Sequence, residues 1–133
     1  MVFLYPKLMK TDILPFPIGM EYEDLEFNLE VLPDRIKGYD SYIYVGKDLK
    51  NFLNYPTDKI ELIFHWEILV AIIISVEYNE ADLHLDLLKY LLLEKKENYT
   101  FYINDEISLI TIENKVIYGK PDVVSMLLST LLF

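Results

Sequence analysis

Few places in this 133-residue chain hold residue types that do chemistry. The densest set of metal-ligand types is Asn79, Glu80, Asp82, His84 and Asp86, since carboxylates with an imidazole can bind a divalent ion. Their spacing argues against it. On a helix Asp82 and Asp86 share a face, whereas His84 points about 200° from Asp82 at about 100° per residue. No glycine is present for an ion-binding turn, and a helix N-terminus that favours acids accounts for the cluster without a metal. His65 and Glu67 would share one face of a strand as a His–carboxylate pair, the arrangement of a general base, but no nucleophile stands near them. Ser41, Ser75, Ser108, Ser125 and Ser129 fall in strand or helix patterns, and none lies in G-x-S-x-G. With no cysteine, thiol catalysis, disulfides and cysteine-ligated metals are excluded. The four glycines, Gly19, Gly38, Gly46 and Gly119, are too far apart to cradle a phosphate, and Arg35 is the single arginine. The expectation is a protein with no catalytic residues, no metal and no cofactor.

Recognition chemistry is better represented. The net charge is −10, from 22 acids against 12 basic residues, which opposes direct binding to nucleic acid. Residues 11–34 carry Asp12, Glu21, Glu23, Asp24, Glu26, Glu30 and Asp34 with no basic residue, and 60–88 carry Glu61, Glu67, Glu77, Glu80, Asp82 and Asp86, again with none. A field of one sign attracts a partner of the other and speeds encounter. Tyrosine is frequent, 11 of 133 residues, and Tyr is favoured at interfaces for its large, rigid, amphipathic ring. Tyr22 sits among acids, Tyr42 and Tyr44 fall on one strand face, and Tyr39 just precedes them. The candidate partner-binding residues are therefore Glu21, Tyr22, Glu23, Asp24, Glu26, Glu30, Tyr39, Tyr42 and Tyr44. Tyr99, Tyr102 and Tyr118 are better read as core.

These residues need a scaffold, and the chain predicts one domain over 1–133. Residues 1–20, with Pro6, Pro15 and Pro17, predict an extended arm. From Asp24, Leu25, Phe27, Leu29 and Val31 alternate with Asp24, Glu26, Asn28 and Glu30, predicting a half-buried strand with an acidic outer face. Residues 41–45 predict a second strand, and Asp48 caps a predicted short helix ending near Pro56. Alternation continues through Ile60, Leu62, Phe64 and Trp66, and 68–78 suits a central strand with both faces covered, helix being the rival reading. A helix is predicted from 79–82 through Leu92. Residues 99–118 predict a β-meander, with turns at Asn104-Asp105 and Asn114-Lys115. Pro121 opens a final helix over 121–132, which is either core or, if its apolar side is uncovered, a homodimer contact. The fold class expected is α+β: a mainly antiparallel sheet of five to seven strands with two or three packed helices. No run approaches the roughly 20 apolar residues of a membrane helix, so a soluble cytoplasmic protein without a membrane partner is expected.

On residues 21–30 and 39–44, and on its small, acidic, cysteine-free and Tyr-rich composition, the chain resembles bacterial toxin-immunity proteins, including those of contact-dependent inhibition systems. The resemblance implies a cognate toxin, often a nuclease, neutralised by covering its active or substrate-binding site. It implies no particular topology. Two other classes compete. One is a nucleic-acid mimic: alternate strand residues lie about 6.6–7 Å apart, close to the roughly 7 Å between phosphates along a DNA strand, so Asp24, Glu26 and Glu30 would imitate a backbone. The other is a small enzyme or ligand-binding domain built on His65 or His84.

Overall fold

Alternating apolar residues, punctuated by tight turns, build one broad antiparallel sheet. A computed structural model describes residues 14–48, 51–53, 55–79, 82–83, 95–96, 100–104 and 106–132. The strands are β1 (Leu29–Leu32), β2 (Asp40–Tyr44), β3 (Asn51–Phe52), β4 (Tyr55–Pro56), β5 (Lys59–His65), β6 (Ile68–Ser75), β7 (Lys95–Lys96), β8 (Thr100–Asn104), β9 (Ile107–Ile112) and β10 (Lys115–Gly119). Eight of them form one sheet in the order β1-β2-β5-β6-β10-β9-β8-β7, and β3 pairs with β4 alone. The fold is thus mainly antiparallel β with a helix, α1 (Pro121–Leu132). The main sheet exceeds the expected five to seven strands because short edge strands extend it on both sides.

Cross-strand partners share a face, so the register sorts the core into two halves. One row runs Tyr42–Leu62–Ile72–Tyr118–Leu109, and the next runs Ile43–Glu61–Ile73–Ile117–Ile110. The first face is covered by Leu14, Phe16, Ile18, Met20, Tyr22 and Leu25, with Phe52 and Leu83. The second is covered by α1, through Val123, Val124 and Leu127, and by Ile36 and Tyr39 of the β1–β2 loop. Each fully buried aliphatic side chain contributes about 1.5–3 kcal/mol. Both faces of β5 and β6 are covered, and β6 is a strand, which decides against helix there.

Residues 14–20 cross the first face in a non-helical course. The Tyr118 hydroxyl donates to the Phe16 carbonyl at 2.6 Å and accepts the Phe16 N–H at 3.2 Å. Gly19 N–H donates to the Leu69 carbonyl, and Leu69 N–H donates to that of Met20. At the end of β10, Gly119 allows the close approach that follows: a Cβ there would stand 2.4 Å from the Val70 carbonyl oxygen, which accepts the Lys120 N–H at 3.0 Å.

Several expectations are corrected. The strand predicted from Asp24 is mostly two 3-10 turns, Tyr22–Asp24 and Glu26–Asn28, with strand only from Leu29. Leu25 is buried by the local fold, but Phe27 and Val31, expected inward, are 91% and 75% exposed. The helix predicted after Asp48 is instead the β3–β4 hairpin, which drives Phe52 fully into the core. Trp66, the last member of the predicted 60–66 alternation, lies beyond the end of β5 and is exposed. The helix predicted from 79 does begin: the Asn79 side chain accepts the Asp82 N–H, and Leu83 N–H reaches the Asn79 carbonyl. Its continuation, like Glu80, His84 and Asp86, lies outside the described residues. Residues 100–104, 107–112 and 115–119 form the strands β8, β9 and β10, and residues 121–132 form a helix. Tyr99 and Asp105 of the predicted meander lie outside the described residues, and the β9–β10 turn is Glu113-Asn114 rather than Asn114-Lys115. The apolar side of α1 is turned onto its own sheet through Val123, Val124 and Leu127.

Candidate partner-binding surface

The hairpin joining β5 to β6 turns through two residues only, Trp66 and Glu67, between the partners His65 and Ile68. Their φ values are +53° and +65°, the pattern of a type I′ turn, which strongly prefers Asn and Gly. A β-branched or bulky residue in that region is an outlier held there by its surroundings. The ring so displayed is 84% exposed. The turn at Glu113-Asn114 has the same geometry with a permissive Asn at its second place; the Trp66 turn has no such residue.

The acidic segment is tied to this tip. Tyr22 N–H donates to the Glu67 carbonyl at 2.8 Å, and Glu21 bridges to Ile68. That fixes the turn of Glu21, Tyr22, Glu23 and Asp24 against the hairpin, where Glu21 N–H donates to the Asp24 carboxylate at 3.3 Å. Glu21, Glu23, Asp24 and Glu67 are exposed, and none makes an ion pair among the described residues. Aromatic rings lie behind them on both sides. Tyr22 meets Tyr42 at 5.2 Å and Phe64 at 5.7 Å, while Tyr39 stacks on His65 at 4.4 Å from the opposite face. The Tyr42 phenol is held above its ordinary value, by burial first and then by Tyr22 and the Asp40 and Asp34 carboxylates. Two more acids thus reach the same neighbourhood. Lys37, in the intervening loop, is exposed and pairs with none of them.

The other predicted residues are elsewhere. Tyr44 shares a face with Tyr42 but is capped by Phe16, edge to face at 5.1 Å, and serves the core; burial first, then Asp48, raises its phenol. Tyr118 is buried, as expected, and Tyr99 lies outside the described residues. Glu26 is half-buried in the second 3-10 turn and Glu30 is exposed on β1. Asp24, Glu26 and Glu30 therefore lie on no common strand, and the phosphate-spaced ladder does not form. The His65–Glu67 pair is not formed either, because Glu67 belongs to the turn.

The window 60–88 is not wholly uncompensated. Glu61, 4% exposed between Ile43 and Ile73, receives both Arg35 Nε at 2.9 Å and an Arg35 terminal nitrogen at 2.8 Å, with Lys59 at 4.0 Å. Arg35 N–H also reaches Ser41 Oγ. The single arginine is consumed in fastening the β1–β2 loop over the second face, which leaves the acids at the tip without it. Its guanidinium is held above the ordinary value by the Glu61 hydrogen bond, against burial.

Sequence reasoning missed Trp66, Phe27, Val31 and the Arg35–Glu61 pair. Two strand-like runs separated by two residues were a signal for the Trp66 turn, but without Gly, Asn or Asp it read as continuous strand. Among the described residues no group of three or more metal-ligating side chains assembles, and no helix is long and apolar enough to cross a membrane. Comparison with protein-family models, curated proteins and solved structures gives no match for this chain.

Proposed function

We propose that the protein is an acidic inhibitor of the immunity type, a binding protein rather than an enzyme, that neutralises a cognate basic protein toxin by covering its active or substrate-binding site. The observation that carries this reading is Trp66, displayed on a strained turn with Glu67 beside it and the acidic turn at 21–24 bonded to the same hairpin, where these acids have no ion pair among the described residues. A single exposed apolar residue is ordinary on a protein surface, but a Trp held on a strained turn beside unpaired acids has the composition of a recognition site, since Trp, Tyr and Arg dominate interface energetics. Here the protein offers the Trp and Tyr, and the partner supplies Arg and Lys. Nuclease toxins suit the surface best, because their own substrate site is cationic and unpaired carboxylates compete for it.

In this mechanism Glu21, Glu23, Asp24 and Glu67 steer a basic surface to the tip, and Trp66 then packs into it with Tyr22 and Tyr39 at its margins. The test is to inspect the neighbouring reading frame for a toxin-like C-terminal domain and to co-express the two, read by survival and by association kinetics; a neighbouring frame of phage-operon type would favour mimicry instead. Trp66→Ala should weaken the complex about 30-fold or more, mainly through faster dissociation, a loss of about 2 kcal/mol. Glu23→Lys should slow association and flatten its salt dependence. Unchanged affinity and protection in the combined variant would overturn the reading. Competition with DNA for several unrelated DNA-binding proteins would point to mimicry instead.

A further inference from the structure

The surface around Trp66 leaves unexplained the other large apolar residues exposed among the described ones, Phe27, Val31 and Val45, of which Phe27 and Val31 are the most open and lie at the far edge of the sheet. β1 is the outer strand: β2 pairs with one side, and no described residue pairs with the other. The direction of its free backbone groups follows from one bond. Val45 N–H donates to the Asn28 carbonyl at 2.7 Å, and the register continues as Leu29↔Tyr44, Glu30↔Ile43, Val31↔Tyr42 and Leu32↔Ser41. Because hydrogen-bonded pairs alternate in an antiparallel ladder, residues 28, 30 and 32 turn their backbone groups toward β2. Leu29 and Val31 turn theirs outward.

Such an edge is a template for another strand, and proteins normally blunt it with charge, proline or cover. Here a single acid, Glu30, interrupts it, while Val31 stands open and Phe27 flanks its start. We infer that the β1 edge is a docking site for an extended basic segment of a protein partner, added to the sheet as a further strand. This deepens the proposed function and rests on its premise of a basic partner.

Charge selects this occupant over a second copy of the chain. Two β1 strands pairing antiparallel over their full length would bond through Leu29 and Val31 of each. Glu30 would then face Glu30 of the second copy in the non-hydrogen-bonded position, where side chains come closest, and like charges directly opposite are destabilising. A Lys or Arg at that position converts the repulsion to attraction. Apolar residues on either side of it would lie beside Leu29 and Val31. The recognised pattern is therefore apolar–basic–apolar, read by the backbone groups of Leu29 and Val31 and the carboxylate of Glu30.

The test uses the full chain and a synthetic peptide alternating Val or Thr with Lys, with amide exchange followed by NMR. At saturation the peptide should slow exchange at Leu29 and Val31 by about tenfold or more, and leave Glu30 and Leu32, already in the ladder, little changed. A Glu-for-Lys peptide and a peptide N-methylated on its bonding amides should give no protection. Val31→Pro should abolish binding while keeping the fold, because that N–H faces away from β2 and proline is tolerated there; if the variant fails to fold, the N-methylated peptide decides alone. Binding without protection at Leu29 and Val31 overturns the inference, as does equal binding of the N-methylated peptide or concentration-dependent protection with no peptide present. A toxin neutralised through Trp66 with both amides unprotected also overturns it and leaves the inhibitor reading standing. A basic peptide that pairs with β1, in a protein that protects against no toxin, supports the edge and removes the inhibitor.

Discussion

Two buried polar residues fasten the covering segments to the sheet, and each has a distinct signature. Glu61 is tolerable in a row of isoleucines only because Arg35 reaches it with two hydrogen bonds. Removing one partner of a buried pair leaves an uncompensated charge, so Arg35→Met should cost about 3–5 kcal/mol in urea denaturation, whereas Arg35→Met with Glu61→Leu should recover most of it. Equal losses in both variants would show that Arg35 acts by packing instead. Tyr118 is a neutral counterpart. Burial first, opposed by its bond to the Phe16 carbonyl, raises its phenol well above the ordinary value. Folded, it keeps its proton where the unfolded chain, titrating near pH 10, has lost it. Stability is therefore full below about pH 10 and falls above it, by about 1.4 kcal/mol per pH unit for this group. Tyr42 and Tyr44 are shifted in the same direction. Tyr118→Phe should flatten the alkaline loss and, by removing the two hydrogen bonds between its hydroxyl and the Phe16 backbone, cost about 1–3 kcal/mol at neutral pH. Urea titrations between pH 8 and 11 would read both effects.

At the scale of elements, the tip hairpin sets stability against recognition. Asn-Gly at positions 66 and 67 would adopt the observed φ signs without strain, so Trp66→Asn with Glu67→Gly should stabilise the fold by about 1–2 kcal/mol while abolishing protection. A turn that merely tolerates Trp would lose no binding. The same hairpin marks where pattern reading stops. The meander strands and α1 were legible because their boundaries carry Asn or Pro, whereas the unbroken apolar run at 68–78 left strand and helix both open, and pairing with β5 and β10 decides for strand. The 24–31 alternation was real but belonged to two 3-10 turns, since its apolar members are not used alike: Leu25 enters the core, whereas Phe27 stays outside. The 48–56 segment offered helical spacing over too few residues to hold a helix unaided, and burial of Phe52 in a hairpin prevailed. Of the candidate site, the acids and Tyr22 were legible from composition. Their meeting with Trp66 was not, because it depends on Tyr22 pairing with Glu67 across 45 positions of chain.

For the molecule as a whole, a net charge of −10 on 133 residues is a cost borne by the fold. Like charges at the tip and on β1 repel one another, and salt screens them over a Debye length of about 10 Å at 0.1 M. The melting temperature should therefore rise between about 10 mM and 0.3 M NaCl, before salting-out effects enter. The same reasoning gives charge reversals opposite effects on folding and binding. Glu23→Lys and Glu30→Lys each relieve repulsion and break no described ion pair, so each should leave thermal stability equal or higher. Each should also slow association with a basic partner, Glu23→Lys at the tip and Glu30→Lys at the edge. Acids kept for the fold would behave otherwise, losing stability and binding together. Thermal melts and association rates on the same two variants separate the cases, and a fall in melting temperature for both would mean that the surface charge serves the fold rather than a partner.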